Sequence, residues 1–530
     1  MREEKDKMLK KYKNKIVTVM LYIVFCFILV FAISNKENYH VDEVFSYGLA
    51  NHKSDGAASM KIKKGKVYEN PLNPYNKYMT VNKKHRFDYK SVWENQKNDV
   101  HPPFYYAILH TISSLFPGRF SRWFAGIINI GFAVLTLFMI RKLILYLTED
   151  KAVCLLLSVG FVLNSGIISS TTFFRMYVIT MFWGCVLSYL FLRMLREGVS
   201  WKWLGLLYIT TVLSALTHYY CIVFVALMSF VFGIFLLIKR MWKKLLGFCA
   251  TMVLAAGTAI LIFPSIIEHM FFDYRGEEAI TNLQNSQDFW ARIKSFFGFA
   301  NNQLFGNQLG YLVLIILFAA LYAYCIREDT ASEKKKGEKD GGGIFQYVFL
   351  FVPVLIYFLL VSKIASFVSD RYLFPIYGVA FVLFLCCVNH LLSACFGRSQ
   401  QIALLCVLLA FITYGSWKGI GWPYLYQGTD KALESLEQYS DTDCIFIYSE
   451  RFQVQYKFRE IACYDSVTFL KDDNLSKLPE YEEQCDELIV IINSRNTHAD
   501  YLNEIMTKYP TLTQYKELNG VGEGKTYYCW

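Results

Sequence analysis

Long, nearly uncharged apolar runs recur along this chain up to residue 417, and nothing else constrains its fold as strongly. A run of about 18 residues or more is long enough to cross a bilayer core as a helix. In lipid only helices and closed barrels satisfy every backbone hydrogen bond, so runs of this length read as helices. They fall at 16–33, 123–140, 152–169, 176–192, 203–217, 219–238, 245–264, 308–326, 344–361, 372–391 and 401–417, about eleven spans. The chain is 54% hydrophobic and only 18% charged, as a polytopic α-helical membrane protein should be.

Charge between the runs sets their orientation. Residues 1–15 form a basic tail ending in Lys10, Lys11, Lys13 and Lys15, which holds the start of the first run in the cytoplasm. A cleaved signal peptide is the alternative, but its apolar stretch is usually about 7–15 residues and Ala32-Ile33-Ser34 is a poor cleavage site. Alternating from an inner start, the inner connectors carry Arg141 and Lys142, then Arg193, Arg196 and Lys202, then Lys239, Arg240, Lys243 and Lys244, then the basic stretch 327–339, and Arg398. The short outer connectors carry few charges, which places the amino terminus inside and the carboxyl terminus outside. The net charge of +10 follows from these connectors and from one long loop. No nucleic-acid-binding motif accompanies it, so nucleic acid is excluded as a partner.

Three domains follow: the tail 1–15, a membrane domain 16–417, and an extracytoplasmic region 418–530. The first external loop, 35–103, is rich in Lys, Asn and Tyr and stays outside, because long loops translocate despite positive charge. It leads into an amphipathic segment at 104–116; a second outer loop, 265–307, reads as interfacial. The stretch 327–343, with its lysine run and Gly341-Gly342-Gly343, reads as a flexible cytoplasmic linker. Beyond 418, buried-type strands at 443–448 and 487–492, flanked by helices near 430–438 and 498–508, suggest a small α/β domain. It carries no nucleotide-binding glycine pattern. Cys444, Cys463, Cys485 and Cys529 lie there without zinc-site spacing, and their three disulfide pairings stay open.

Polar residues at span ends point to chemistry. Asp42 and Glu43, in Tyr39-His40-Val41-Asp42-Glu43, follow the first run; His101-Pro102-Pro103 and Arg122 precede the second. Arg175-Met176-Tyr177, Thr217-His218-Tyr219-Tyr220 and Arg371-Tyr372 sit at later boundaries, and the loop-charge topology puts all of them on the outer side. Taken singly, each has an ordinary reading: a solvated loop acid, a proline turn, an arginine snorkelling to headgroups, a packed histidine, a tyrosine of the aromatic belt. Together, two carboxylates, two histidines and three arginines on one face look like an active site for an anionic substrate.

The combination resembles the GT-C class of membrane glycosyltransferases. It is most similar to glycosyltransferase family 39 and its bacterial relatives, which include protein O-mannosyltransferases and lipid A aminoarabinose transferases. The likeness rests on Asp42-Glu43, His101-Pro102-Pro103, Arg122 in Gly118-Arg119-Phe120-Ser121-Arg122-Trp123, Arg175-Met176-Tyr177, His218-Tyr219-Tyr220 and Arg371-Tyr372-Leu373-Phe374-Pro375. His-Pro-Pro is followed here by Phe104-Tyr105-Tyr106 rather than Leu-Gly-Lys, and there is no large inserted lumenal domain, so the likeness reaches the class and not protein mannosylation.

The resemblance implies a polyprenyl-phosphate sugar donor and inverting transfer of a hexosyl or pentosyl group to an envelope acceptor (lipid, wall polymer or protein). Transfer would occur on the extracytoplasmic face of the plasma membrane. It implies Asp42 as base, with Glu43 as the second catalytic carboxylate, one that orients Asp42, His101 or the acceptor and does not attack. His101, Arg122, Arg175, Tyr177, His218, Tyr219, Arg371 and Tyr372 would surround the donor phosphate and sugar. The chemistry agrees: an attacking hydroxyl needs a base within hydrogen-bond reach, and a departing phosphate needs guanidinium charge more than a strong acid. No cofactor is required; a divalent metal is compatible with carboxylates beside a phosphate, but no ligand set specifies one. The competing class is a transporter or flippase of a lipid-linked or anionic substrate, which would favour midplane polar groups, broken helices and repeats. A third reading is an envelope-polymer receptor with an inactive transferase core. The outer α/β domain is a candidate for acceptor selection.

Overall fold

The computed structural model describes residues 2–285, 287–318, 341–420, 422–480, 485–494 and 497–530. Among them, eight helices are long and apolar enough to cross a membrane: Lys15–Ser34, Arg122–Thr148, Tyr177–Glu197, Tyr219–Ile238, Trp242–Ile262, Ile344–Ile364, Asp370–Cys395 and Arg398–Gly419. A ninth is a bent pair, Lys151–Val162 with Ser165–Thr172, turned by 51°. The expected span 203–217 is the helix Trp201–Ala215, 15 residues long and so shorter than a full crossing. The expected span 308–326 begins as Leu309–Phe318, and its remainder lies outside the described residues. Most of the expected linker 327–343 also lies outside them; 341–343 open the helix Gly341–Ile364. The outward faces are apolar, with Phe27, Phe230, Val253 and Leu261 left exposed, as lipid contact demands.

Local caps position the ends that matter. Asn164 stops the first half of the bent pair: its side-chain oxygen accepts from the Ile167 amide, and its Nδ2 donates to the Leu304 carbonyl. The second half then restarts at an angle and finishes in the turn 173–175, which carries Arg175. His218 caps Tyr219–Ile238 by accepting the Tyr220 amide proton on Nδ1 at 3.1 Å. The expected surface segment after His-Pro-Pro is the helix Phe104–Leu115. The outer loop 265–307 folds as three helices, Ser265–Phe271, Tyr274–Gln284 and Phe289–Phe305.

A six-stranded sheet lies outside the helical region. Its strands are β1 (Val67–Tyr68), β2 (Cys444–Tyr448), β3 (Val467–Lys471), β4 (Leu488–Asn493), β5 (Tyr515–Leu518) and β6 (Lys525–Cys529), in the order β1-β3-β2-β4-β6-β5. The central three are parallel and the remaining pairings antiparallel. Alternation along the strands gives the sheet two cores. Ile445, Ile447, Val490 and Ile492 pack with Leu502 and Ile505 of the helix His498–Lys508. Phe446, Phe469, Ile489 and Ile491 turn to the other side and join the main apolar core.

The stretch 35–103, expected as the first external loop, is part of the same layer as the sheet. It supplies β1, paired to β3 through Val67 with Thr468 and Tyr68 with Val467. Its helix Asn73–Met79 is tied down by the buried Tyr75, whose hydroxyl donates to the Val454 carbonyl at 2.7 Å. The loop and the region beyond 418 are thus packed together over the helix Val41–Asn51.

Candidate active site

Tyr39-His40-Val41-Asp42-Glu43 is a helix start. His40 is the N-cap of Val41–Asn51, and its Nδ1 accepts from the Asp42 amide at 3.1 Å. Glu43 at N3 accepts from the His40 amide at 2.6 Å, completing a capping box. The two carboxylates therefore face opposite surroundings. Glu43 is fully buried; its other oxygen accepts from the Phe174 amide at 2.6 Å and pairs with the equally buried Lys36 at 3.0 Å. Asp42 keeps 24% of its side chain exposed and is ion-paired to Arg371.

Behind Asp42 sits Arg175, buried at 3% exposure. One terminal nitrogen donates to the Asp42 carbonyl (3.1 Å), Ser46 Oγ (3.2 Å) and the Tyr106 hydroxyl (3.1 Å), and the other to His101 Nε2 (3.1 Å). His101 Nδ1 lies 2.8 Å from Asp99 Oδ2. Since Nε2 accepts from a guanidinium, the proton sits on Nδ1 and is donated to Asp99, which leaves His101 neutral. His218 lies edge-on to His101 at 5.7 Å, with Tyr177, Tyr220 and Tyr372 forming an aromatic wall around it. Its Nδ1 is occupied by the Tyr220 amide, so its proton is on Nε2, which has no partner among the described residues. Arg175 Nε and Arg371 Nε are likewise buried donors without partners among the described residues.

Electrostatics reinforce this order. Burial opposes ionisation of Asp42, but Arg371 and Arg175 outweigh it and hold the carboxyl well below the usual carboxylate range. Burial and then Arg175 push the His101 imidazole below its ordinary value despite Asp99. Burial, assisted by His101 and the two arginines, pushes His218 further down. Glu43 is raised and Lys36 lowered by burial, each against the pull of the other.

Eight of the ten expected residues thus come together: Asp42, Glu43, His101, Arg175, Tyr177, His218, Arg371 and Tyr372. Glu43, expected as a catalytic carboxylate, is sealed beneath the site with both oxygens taken. Two others lie elsewhere. Arg122, expected at the donor phosphate, donates to the Ser34 carbonyl at 3.1 Å and the Lys36 carbonyl at 2.5 Å, closing the end of the first span. Tyr219 points away from its neighbour Tyr220 and donates to His269 Nδ1 at 2.7 Å, while His269 Nε2 donates to the Lys97 carbonyl. Asp99, Ser46, Tyr106, Tyr220 and Lys36 were not expected. Asp99 and Ser46 had a signal, two residues before His101 and four after Asp42; Tyr106 and Tyr220 lie in the motifs that carry His101 and His218, and Lys36 had none. Among the described residues, no three His, Cys, Asp or Glu side chains converge as a metal-ligand group. Cys444, Cys463, Cys485 and Cys529 are free thiols.

No family profile matches the sequence, and no curated protein does. Among solved structures, the crystal structure of ArnT from Cupriavidus metallidurans in the apo state matches with a TM-score of 0.52 at 11% identity, over 97% of each chain. The Archaeoglobus fulgidus oligosaccharyltransferase matches more loosely, at a TM-score of 0.39 and 11% identity over 80% of this chain and 64% of that one. The ArnT likeness spans both chains nearly whole and shows that this chain has an ArnT-like fold, a polytopic helical bundle with a small sheet.

Proposed function

We propose that this protein is a membrane glycosyltransferase that moves a sugar from a polyprenyl-phosphate donor to an envelope acceptor on the extracytoplasmic face, with Asp42 as the base. The observation that carries the reading is Asp42 itself: a part-exposed carboxylate ion-paired to Arg371, with Arg175 bonded to its backbone carbonyl, beside buried donors that have no partner among the described residues. The acceptor hydroxyl attacks the anomeric carbon and its proton passes to Asp42. The bond from that carbon to the phosphate oxygen breaks on the opposite side, and its electron pair leaves with the phosphate. Attack opposite the leaving group inverts the centre, and no covalent intermediate is needed.

The arginines give the step its order. In the resting arrangement Arg371 neutralises Asp42, which makes it a weak base. An incoming donor phosphate competes for Arg371 and for the free Nε–H groups of Arg175 and Arg371, and His218 Nε2–H adds a further donor. Asp42 regains basicity only when the donor is seated. His101, fixed neutral by Asp99, holds Arg175 in place, and Tyr177, Tyr220 and Tyr372 offer faces to a sugar ring. Glu43 acts on the site by fixing the turn that carries Arg175. The basic amino-terminal tail and inner connectors support an outward-facing site.

Transport of a lipid-linked substrate is the second reading, favoured by the bent span at Asn164, a feature of transporter sites. Purified protein supplied with radiolabelled polyprenyl-phosphate sugars separates the two. Acceptor-dependent sugar release that Asp42→Asn abolishes supports the transferase. A donor that is bound but never consumed, even with envelope extract, supports transport.

A further inference from the structure

The Lys-rich stretch of the first external loop, Lys61-Ile62-Lys63-Lys64-Gly65-Lys66, has no place in the chemistry above. The structure gives it a shape. Gly65, at φ +69°, makes the turn into β1, and the stretch comes to rest against the outer sheet. There Lys61, Lys63 and Tyr68 meet Pro74 and Lys77 of the helix Asn73–Met79 and Arg451 of the region beyond 418, around a pocket of about 340 Å³. Lys66 adds its ammonium over the Tyr68 ring, 5.5 Å from the centroid.

The pocket's charge is largely unanswered from within. Asp55 pairs with Lys61 at 2.7 Å, but Lys63, Lys77 and Arg451 have no ion pair among the described residues. Asp473 is paired to Lys471 at 2.8 Å, and the Glu450 side chain is held in the capping box of the turn Arg451–Lys457. A concave group of cations, three of them without an ion pair among the described residues, suits an anion, and an arginine fork beside lysines suits phosphate oxygens.

Its position ties it to the active site. Tyr78, one residue on from Lys77, packs its ring against Gly48 of the helix Val41–Asn51, which carries Asp42. Tyr75 of the same short helix bonds Val454, three residues on from Arg451. The two elements that wall the pocket therefore also pack on the Asp42 helix, and neighbouring helix axes lie about 8–10 Å apart.

We propose that this pocket binds a phosphodiester-bearing acceptor polymer, gripping one anionic unit while another presents its hydroxyl to Asp42; its role as an acceptor site rests on the transferase reading. Several cations spread along a stripe suit a chain of repeated phosphates better than a single ion.

The test measures binding of a fluorescent poly(glycerol phosphate) oligomer to the full-length protein in detergent, with neutral dextran and anionic phospholipid vesicles as comparisons. Wild type is expected to bind the oligomer, not dextran, and to bind more weakly as salt screens the charges. The triple variant Lys63→Ala, Lys77→Ala, Arg451→Ala is expected to bind about tenfold or more weakly. Lys77→Glu alone, at an exposed position, gives a second variant should the triple one lose its thermal transition. Equal binding by wild type and the charge variants overturns the proposal, as does capture of vesicles without the oligomer. If the oligomer binds through these residues but no donor sugar is ever consumed, the pocket stands and the transferase reading falls.

Discussion

Replacing Glu43 by glutamine tests whether this residue holds the site together rather than reacting in it. Three donors converge on the Glu43 carboxylate: the His40 amide at 2.6 Å, the Phe174 amide at 2.6 Å and the Lys36 ammonium at 3.0 Å. A glutamine side chain offers one oxygen, and its amide group turns further N–H bonds toward groups that are themselves donors. Lys36 is then a fully buried charge without a counter-ion, and breaking a buried pair in this way costs about 3–5 kcal/mol. The Phe174 amide is one residue from Arg175, so the variant also loosens the guanidinium behind Asp42. Misplacement by about 1 Å can cost on the order of a hundredfold in rate. Thermal unfolding in detergent and donor turnover are the assays, with kcat falling far more than KM rises. Adding Lys36→Met to Glu43→Gln removes both charges and is expected to restore part of the lost stability, since the coupling between two contacting groups is about 0.5–3 kcal/mol. A Gln variant as stable and active as wild type, or a double variant that loses the sum of the two single effects, refutes the reasoning.

Three further outcomes follow from the same geometry. Arg371→Lys keeps the charge but loses the planar fork shared between Asp42 and the donor phosphate; kcat is expected to fall by about a hundred- to a thousandfold while the protein stays folded. Gly48→Ala places a methyl group 1.8 Å from the Tyr78 ring, and the resulting overpacking is expected to cost about 1–3 kcal/mol in thermal unfolding measurements. Burial lowers the pKa values of His40, His101 and His218 in the folded protein, so below pH of about 6.5 the unfolded chain takes up protons that the folded one refuses. The histidines are therefore expected to lower stability as pH drops from 7 to 5.5, by at most about 1.4 kcal/mol each per pH unit, while Glu43, raised by burial, contributes in the opposite direction. An unfolding midpoint that rises over that range contradicts this sign.

The bundle was legible because length and hydropathy alone decide whether a segment can cross a bilayer. The break inside 152–169 was not, because Asn164, Ser165 and Gly166 lower the hydropathy of that run only slightly while the Asn164 cap redirects the backbone. Asp42, His101, Arg175 and Arg371 were readable as ionisable groups at span ends, where burial is costly without a partner. The same signal misplaced Arg122, since an arginine at a span end looks alike whether it faces a cleft or caps carbonyls. Tyr219 and Tyr220 differ by one residue, about 100° of helical rotation, and only the His218 cap sets which of them faces the site. Asp99 and Lys36 sit in polar surroundings in the sequence, and their burial comes from long-range packing over the first loop. Strand β1 is two residues long, too short for any local pattern, and its place is set by its partner Val467–Lys471.

The measurement that bears most directly on the central claim compares donor affinity with donor turnover for wild type and Asp42→Asn. The amide keeps the size of the carboxyl and leaves the arginines free for the phosphate, so the variant is expected to bind the polyprenyl-phosphate sugar at least as tightly as wild type. Transfer to acceptor is expected to vanish, because no group remains to take the hydroxyl proton. Turnover that survives in a folded Asp42→Asn protein contradicts the assignment of Asp42 as the base.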